Sequence, residues 1–175
     1  KYSSSPQAFL KTNMPEDEWA QLDVRKFNSV SAQELWSISA VNANPNFLLL
    51  GADALDRSQV AFGPTHFRWD LVICHVPTRR VGVLEIDGEQ HFHGVEFDAT
   101  NRRDAEKLLI MKDHLPPCAD RIDFVARISY RQRRRGLDAI DDLLELISES
   151  RSDFVCLSDD VQMYSENRLP RNLDA

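Results

Sequence analysis

The segment VGVLEIDGEQHFHG, residues 81–94, ends an apolar run in a cluster of polar side chains. Glu85 and Asp87 stand two residues apart, and His91 and His93 follow them. Carboxylates ligate divalent metal ions and imidazoles move protons, so these residue types could form a metal site or an acid–base site. The structural alternative is a polar turn, because polar residues and a glycine often end a strand that leaves the core.

The two histidines are also a candidate zinc pair, since one residue separates them. However, no cysteine or other histidine lies nearby at a recognised spacing, which argues against a structural zinc site. The hard oxygen ligands of the carboxylates favour Mg²⁺ or Mn²⁺ instead.

Two predicted strands, residues 66–74 and 81–87, position the carboxylates, and a loop of hairpin length with a proline joins them. If residues 76–79 form the loop of an antiparallel hairpin, Asp70 falls directly opposite Glu85. Like charges at opposite positions destabilise a sheet unless a cation neutralises them, which favours a bound divalent metal. A one-residue slip in register would put Asp70 on the other face of the sheet.

A predicted helix over residues 100–114 adds two charged residues to this region. Asp104, Lys107, Leu108 and Met111 share one helix face, so the first two should lie near the sheet against which the apolar pair packs. The alternative is a salt bridge at the border of an amphipathic helix.

The remaining pattern predicts an α/β fold with a mixed sheet flanked by helices. A helix is expected over 28–45, where Ser31 and Glu34 have the spacing of a capping box, and the capping box alone would explain Glu34. Alternation predicts Phe67, Trp69, Leu71 and Ile73 on one strand face. Further strands are predicted at 47–51 and 123–130, a further helix at 136–149, and the domains are 1–27 (N-terminal extension), 28–150 (core) and 151–175 (polar C-terminal tail).

The overall composition is that of an ordinary globular chain of 175 residues, 42% hydrophobic and 28% charged. It shows no apolar run long enough to span a bilayer and no signal-peptide pattern, so no membrane partner is expected. Cys74, Cys118 and Cys156 are widely spaced, which favours free thiols in an intracellular, reducing compartment. The net charge of -7 argues against a general nucleic-acid coat, although a nuclease can be acidic overall and basic locally.

Four blocks in this order, FRWDLVI, VGVLEIDGEQHF, RRDAEKLLIMKDH and VARISY, resemble nucleases of the PD-(D/E)XK superfamily. The resemblance is to the branch that contains the very-short-patch-repair endonuclease and the phage homing endonucleases with an E-D-x-H-D motif. It covers about residues 28–130, and EIDGEQHF is its most specific part. The resemblance implies a restriction-endonuclease-like core of order αβββαβ and Mg²⁺- or Mn²⁺-dependent cleavage of DNA.

Carried over by position, the resemblance implies metal ligands at Asp70, Glu85 and the Ile86 carbonyl. Asp87 is a further candidate ligand because it lies on the same strand face as Glu85, one pleat further out. The superfamily usually has lysine at the position of Asp87, so the usual water-orienting amine is missing there. Lys107 could supply it from the helix, or His91 could act as the base.

The resemblance also implies catalytic positions outside the metal set. His91, Asp104 and Glu34 match the remaining residues of the E-D-x-H-D motif, and Gln90 would position a water or a phosphate. His93 has no counterpart and is treated as an ordinary polar residue.

Two basic patches are expected to contact the nucleic-acid backbone. They comprise Arg102 and Arg103 in the predicted helix, and Arg131, Arg133, Arg134 and Arg135 after the last predicted strand. DNA is the expected substrate and RNA is the alternative, with a homodimer or a separate specificity domain outside these residues as possible partners. A second interpretation is a catalytically weak binding module that keeps the nuclease fold, and a solvated loop would explain the second patch without any ligand.

Overall fold

The structure, a computed structural model, describes residues 32–88, 91 and 97–157. The described chain is a mixed α/β fold, in which helices flank a five-stranded mixed sheet. Its elements are α1 (Ala32–Ala43), β1 (Phe47–Ala52), α2 (Arg57–Val60), β2 (Ala61–Phe62), β3 (Phe67–Arg68), β4 (Leu71–His75), β5 (Arg80–Asp87), α3 (Phe97–Met111), β6 (Phe124–Ser129), α4 (Leu137–Glu149) and β7 (Phe154–Cys156). Short 3₁₀ turns cover Val76–Thr78 and Tyr130–Arg135.

The five-stranded sheet has the order β1-β4-β5-β6-β7. Strand β4 is antiparallel to both β1 and β5, whereas β6 is parallel to β5 and β7 is parallel to β6. The predicted hairpin register is confirmed for Cys74 with Val81 and for Val72 with Val83, whereas the predicted pair of Asp70 with Glu85 is not part of the ladder, because β4 begins only at Leu71. Arg79 closes the hairpin loop in the left-handed conformation, with φ 56°.

Each face of the sheet carries its own apolar cluster. Leu71, Ile73 and Leu84 pack with α1 and α4 on one face. Val72 and Val83 lie on the other face, where Met111 of α3 packs beside them. Because side chains alternate along a strand, Glu85 and Asp87 share the face of Val83, which is the face that α3 covers.

The predicted single strand over 66–74 is wrong at its centre. Phe67 and Trp69 were expected on the face of Leu71 and Ile73, but they belong to the cluster on the opposite face. The chain leaves strand geometry between β3 and β4, and β3 pairs with β2 in a separate two-stranded sheet. The alternation therefore does not continue through Trp69 and Asp70, since period-two alternation requires an unbroken strand.

The structure changes the predicted bounds of several elements. Strand 47–51 and helix 136–149 are confirmed to within a residue, whereas the helix predicted from residue 100 begins at Phe97. Residues 154–156, predicted to lie in a polar tail, form β7 beside β6, where Val155 and Cys156 are buried. Three residues are too few to show a strand period, so β7 could not be predicted from alternation. Ser31 of the predicted capping box lies outside the described residues.

Within the described residues, the three cysteines form no disulfide, in agreement with the predicted thiols. Across the described ranges, none of the helices combines the length and the apolar character needed to cross a bilayer.

Candidate functional site

The predicted site residues gather at one edge of the sheet. Because β4 and β5 are antiparallel, the start of β4 and the end of β5 lie at the same edge. Strand β6 is parallel to β5 and pairs Ser129 with Asp87, so β6 also ends there. This edge, covered by α3 on one face, therefore brings together segments that are far apart in the sequence.

Asp70 is fixed to the end of β5 by a hydrogen bond. The hairpin ladder ends at the pair of Leu71 with Leu84, and just beyond this pair the Ile86 N–H donates to Asp70 Oδ2 at 2.7 Å. The N–H and C=O of one strand residue point toward the same neighbouring strand, so the Ile86 carbonyl also faces the Asp70 side. Asp70, Glu85 and the Ile86 carbonyl are thus oxygen donors at a single strand end.

Lys107 reaches this strand end from α3. Its ammonium nitrogen forms an ion pair with Glu85 Oε1, and the two side chains are only 12% and 11% exposed. The same ammonium lies 3.9 Å from the centre of the Trp69 ring, a cation–π contact. The predicted inward face of the helix is therefore confirmed for Lys107.

Burial shifts the pKa values of Asp70 and Lys107 in opposite directions. Burial, reinforced by the charges of Asp87 and Asp53, raises the pKa of Asp70 although Lys107 and the Ile86 N–H oppose the shift. Burial, reinforced by the charges of Arg127 and other arginines, lowers the pKa of Lys107 to about 7 against the attraction of Asp70. Both groups thus sit in surroundings where the charged form is costly without a compensating ion.

Behind this pair lies a second group of charges, here called the Arg127 network, which consists of Asp87, His91, Asp104 and Arg127. Asp87 is fully buried, and its two oxygens are bound by the Nε and Nη2 groups of Arg127, with 2.7 Å between Nε and Oδ2. Arg127 Nη2 also donates to Asp104 Oδ2 at 2.9 Å. The network therefore ties β5, β6 and α3 together.

His91 joins the Arg127 network through its Nδ1 atom, which lies 3.0 Å from Asp104 Oδ2. Burial by itself would raise the pKa of Asp104, but the hydrogen bond with His91 and the charge of Arg127 outweigh it and lower that pKa. Since the carboxylate can only accept, Nδ1 carries the proton in this contact and Nε2 keeps a lone pair when the ring is neutral.

The acids, the lysine and the histidine open into one cleft of about 440 Å³. Five of the predicted catalytic residues line it: Asp70, Glu85, His91, Asp104 and Lys107. The described lining also includes residues that the sequence did not single out, among them Asp53, His66 and Arg68. Asp53 lies 3.5 Å from Arg68 in an ion pair, so this wall of the cleft carries both charges.

Other predicted site residues are placed differently. Asp87 was predicted as a metal ligand, but both of its oxygens contact Arg127 in the interior. Glu34 is not part of the cleft lining in the described ranges, although neighbouring Gln33 donates to the Ser129 carbonyl at 3.3 Å, so α1 begins near the same sheet edge. Gln90 lies outside the described residues, as does His93.

Arg127 is the site residue that sequence reasoning missed. It is 4% exposed in the middle of a strand whose other residues are buried. A buried arginine needs a paired acid, so a lone charge inside the apolar run FVARIS was a usable signal.

Arg103 of the first predicted basic patch lines the cleft, and the second patch follows β6 at the same edge of the sheet. Arg103 lines the cleft and stacks at 5.8 Å over the Phe67 ring, and Arg102 lies with it beside a shallower depression. Arg131, Arg133 and Arg134 are exposed on the 3₁₀ turn that directly follows β6 at the same sheet edge. Arg135 on that turn instead pairs with Asp142 of α4 and donates to Gln132.

Comparisons of this chain with protein-family models, with curated proteins and with solved structures find no match. The resemblance to PD-(D/E)XK nucleases therefore stays a prediction from the sequence, and the site has to be interpreted from its own geometry.

Proposed function

We propose that this chain is a metal-dependent endonuclease with a restriction-endonuclease-like core that hydrolyses phosphodiester bonds in DNA. The observation that carries the proposal is the meeting of Asp70, Glu85 and Lys107 at one strand end inside a cleft. Two acids and an amine in a concave site are the groups that metal-assisted phosphoryl chemistry requires.

The donor atoms at this strand end suit Mg²⁺ or Mn²⁺. Asp70 and Glu85 supply carboxylate oxygens, and the orientation of Ile86 directs its carbonyl to the same side. Burial and the neighbouring acids raise the pKa of Asp70, and a bound cation would favour its ionised form. Asp87 does not suit a metal, because Arg127 holds both of its oxygens.

A bound ion would supply Lewis-acid polarisation of the phosphate and a lower pKa for a water molecule. Lys107 would then orient the attacking water or offset charge on the phosphate, since its ammonium lies against Glu85. This role accounts for the absence of lysine at position 87, where the structure instead needs an acid to pair with Arg127.

His91 is the second proton-transfer candidate in the cleft. With Nδ1 held by Asp104, its Nε2 atom can accept a proton from water or donate one to a leaving oxygen. Lys107 would therefore act beside the two acids by placing charge, whereas His91 would transfer the proton.

DNA is proposed as the substrate because exposed arginines lie at the same sheet edge as the cleft, on a chain with a net charge of -7. Arg103 lies at the cleft itself, and Arg131, Arg133 and Arg134 follow β6 at the same edge. Phosphate contacts of this kind do not distinguish DNA from RNA, so both belong in the test.

The test is cleavage of supercoiled plasmid, single-stranded DNA and RNA with Mg²⁺, with Mn²⁺ and with EDTA. Wild type should cut DNA only with metal, and Glu85→Gln should lose at least about a hundredfold of the rate. Glu145→Gln, an exposed glutamate on α4, is the matched control and should retain the wild-type rate.

Cleavage that survives Glu85→Gln would refute the site. Metal-dependent binding of DNA without any cleavage would instead favour the catalytically weak binding module.

A further inference from the structure

One nitrogen of Arg127 stands where three candidate metal ligands converge. Single ligand atoms of Asp87, His91 and Asp104 all lie within 4.8 Å of one another. Arg127 Nη2 forms an ion pair with Asp87 Oδ1, lies 2.9 Å from Asp104 Oδ2, and lies 3.4 Å from His91 Nδ1. The guanidinium therefore already occupies the centre of the only such cluster found among the described residues.

We propose that Arg127 is a built-in cation that takes the place of a second metal ion, and that it positions His91 through Asp104. The chain would then bind a single divalent ion, at Asp70 and Glu85. The single-ion count rests on the proposed function, whereas the placement of Arg127 in the cluster does not.

Burial and charge support the substitution of a guanidinium for a metal. Arg127 and Asp87 have side chains 5% and 0% exposed, and their two parallel contacts form the bidentate fork that arginine makes with carboxylates. A guanidinium stays charged at any physiological pH, so the two acids of the Arg127 network keep a neutralising partner without recruiting an ion. A metal could enter only by displacing this buried pair.

The spacing of the three ligand atoms fits a metal once the guanidinium is removed. His91 Nδ1 lies 3.0 Å from Asp104 Oδ2 and 3.5 Å from Asp87 Oδ1. Ligands bound at about 2.0–2.2 Å from one zinc ion stand roughly 3–3.5 Å apart, so these two pairs need little movement. The third pair of ligand atoms, from Asp87 and Asp104, lies within 4.8 Å. One imidazole and two carboxylates would suit Zn²⁺ or Co²⁺.

Arg127 also holds His91 indirectly. Asp104 Oδ2 accepts from Arg127 Nη2 and lies within hydrogen-bond distance of His91 Nδ1, so the arginine fixes the carboxylate that orients the ring. Arg127 is thus a positioning residue, and partners of this kind typically affect activity about 10- to 100-fold.

Metal stoichiometry tests the proposal. Co²⁺ and Mn²⁺ are titrated by calorimetry and visible absorption into wild type, Asp70→Asn, Asp104→Asn, Arg127→Ala, Arg127→Lys and the Arg127→Ala/Asp104→Asn double variant. We expect one ion on wild type, lost in Asp70→Asn and kept in Asp104→Asn. Arg127→Ala should bind an additional Co²⁺ that the double variant loses, and Arg127→Lys should not gain that ion.

Two results would overturn the proposal: a second wild-type ion that disappears in Asp104→Asn, or a folded Arg127→Ala that gains no ion. The comparison of wild type with Asp104→Asn leaves Arg127 intact, so it decides the question even if Arg127→Ala does not fold. A wild type that binds no ion contradicts the proposed function, whereas an ion gained by Arg127→Ala would still support the placement of the guanidinium.

The positioning role has its own readout. Arg127→Lys should lower kcat by about 10- to 100-fold while KM changes less than about threefold, because the substrate contacts lie elsewhere. The folded fraction of Arg127→Lys is measured in the assay buffer, and kcat is calculated per folded molecule. If kcat falls only in proportion to the folded fraction, Arg127 has no positioning role.

Discussion

Asp70 and Lys107 are both ionisable groups whose charged forms are penalised by burial. The pKa of Asp70 is raised and that of Lys107 is lowered to about 7, so burial shifts each group toward its neutral form. A divalent ion would reverse this for Asp70, since a cation favours the carboxylate, and would further disfavour the ammonium.

The first prediction follows for Lys107. A ¹³C NMR titration of the lysine side chains should show one resonance, absent in Lys107→Arg, with a midpoint near 7 rather than the ordinary 10.5. Adding Mg²⁺ should move this midpoint downward, because a second cation nearby disfavours the charged amine. If the Lys107 resonance does not titrate below pH 9, or if Mg²⁺ does not change its midpoint, the placement of Lys107 beside the proposed metal site is contradicted.

The second prediction concerns Asp104, whose pKa is lowered below the ordinary 3.8 against the effect of burial, by His91 and Arg127. A depressed carboxyl pKa stabilises the fold above the ordinary pKa, and this stability is lost as pH falls through the folded-state value. Asp104→Asn should therefore lower the free energy of unfolding by about 1–3 kcal/mol at pH 7.

Urea denaturation between pH 3 and 7 measures this difference, which should shrink at the acidic end. The matched control is Asp142→Asn, because Asp142 is 51% exposed and pairs with Arg135 at the surface. That variant should change stability by less than about 0.5 kcal/mol. If the two variants lose the same free energy of unfolding at pH 7, the Arg127 network does not stabilise the fold through Asp104.

Strand β5 pairs with β4 in the hairpin and with β6 in the parallel part of the sheet. Only the pairing with β4 could be predicted from the sequence. The hairpin register followed from the loop length and the apolar alternation, because these set the pairing of adjacent strands. The pairing with β6 placed Arg127 beside Glu85 and Asp87. That contact joins residues about 40 positions apart, so no local pattern contained it.

The same reasoning explains which site residues the sequence could indicate. The faces of Glu85 and Lys107 were predictable because strand and helix periods fix them, whereas Asp70 lies at the break between β3 and β4, where no strand period applies. The role of Asp87 was not, since an acid two residues after Glu85 looks like a ligand until its buried partner is known. The break between β3 and β4 was also hidden, because FRWDLVI alternates as one strand would.

The third prediction tests the packing of β5 against β6. Gly82 pairs with Phe124, and a Cβ at position 82 would collide with the phenylalanine ring. Gly82→Ala should therefore lower the free energy of unfolding by about 1–3 kcal/mol in a urea titration. Because Gly82 lies near the start of β5, away from Glu85, the rate per folded molecule should be unchanged; an unaltered stability would contradict the close approach.

Across the whole molecule, the negative net charge and the proposed DNA substrate are reconciled by where the arginines lie. The exposed arginines at positions 131, 133 and 134 follow β6 at the sheet edge where the cleft also lies, while Arg121 pairs with Asp123 near the other end of β5. A local basic edge can hold a phosphate backbone even on an acidic protein.

The fourth prediction measures this edge by fluorescence anisotropy with a DNA duplex over a range of salt concentrations. Arg133→Ala/Arg134→Ala should weaken binding to all sequences alike and reduce the salt slope by about 1 to 2. Arg121→Ala is the control and should leave both quantities unchanged. If the double variant keeps the wild-type salt dependence of DNA binding, the 3₁₀ turn is not part of the DNA interface.

The last prediction compares two aspartates that make the same hydrogen bond at opposite ends of β5. Asp70 Oδ2 accepts from the Ile86 N–H at 2.7 Å, and Asp123 Oδ2 accepts from the Val81 N–H at 2.8 Å. Only Asp70 faces the cleft. The two variants therefore remove similar structural contacts but differ in what they remove from the proposed site.

The measurement is the rate of Mn²⁺-dependent plasmid nicking by Asp70→Asn and Asp123→Asn, each corrected for its folded fraction. Asp70→Asn should lose at least about a hundredfold of the wild-type rate, and Asp123→Asn should stay within about threefold of it. Equal rates for the two variants, or metal-dependent nicking that survives Asp70→Asn, would contradict a nuclease site at this strand end.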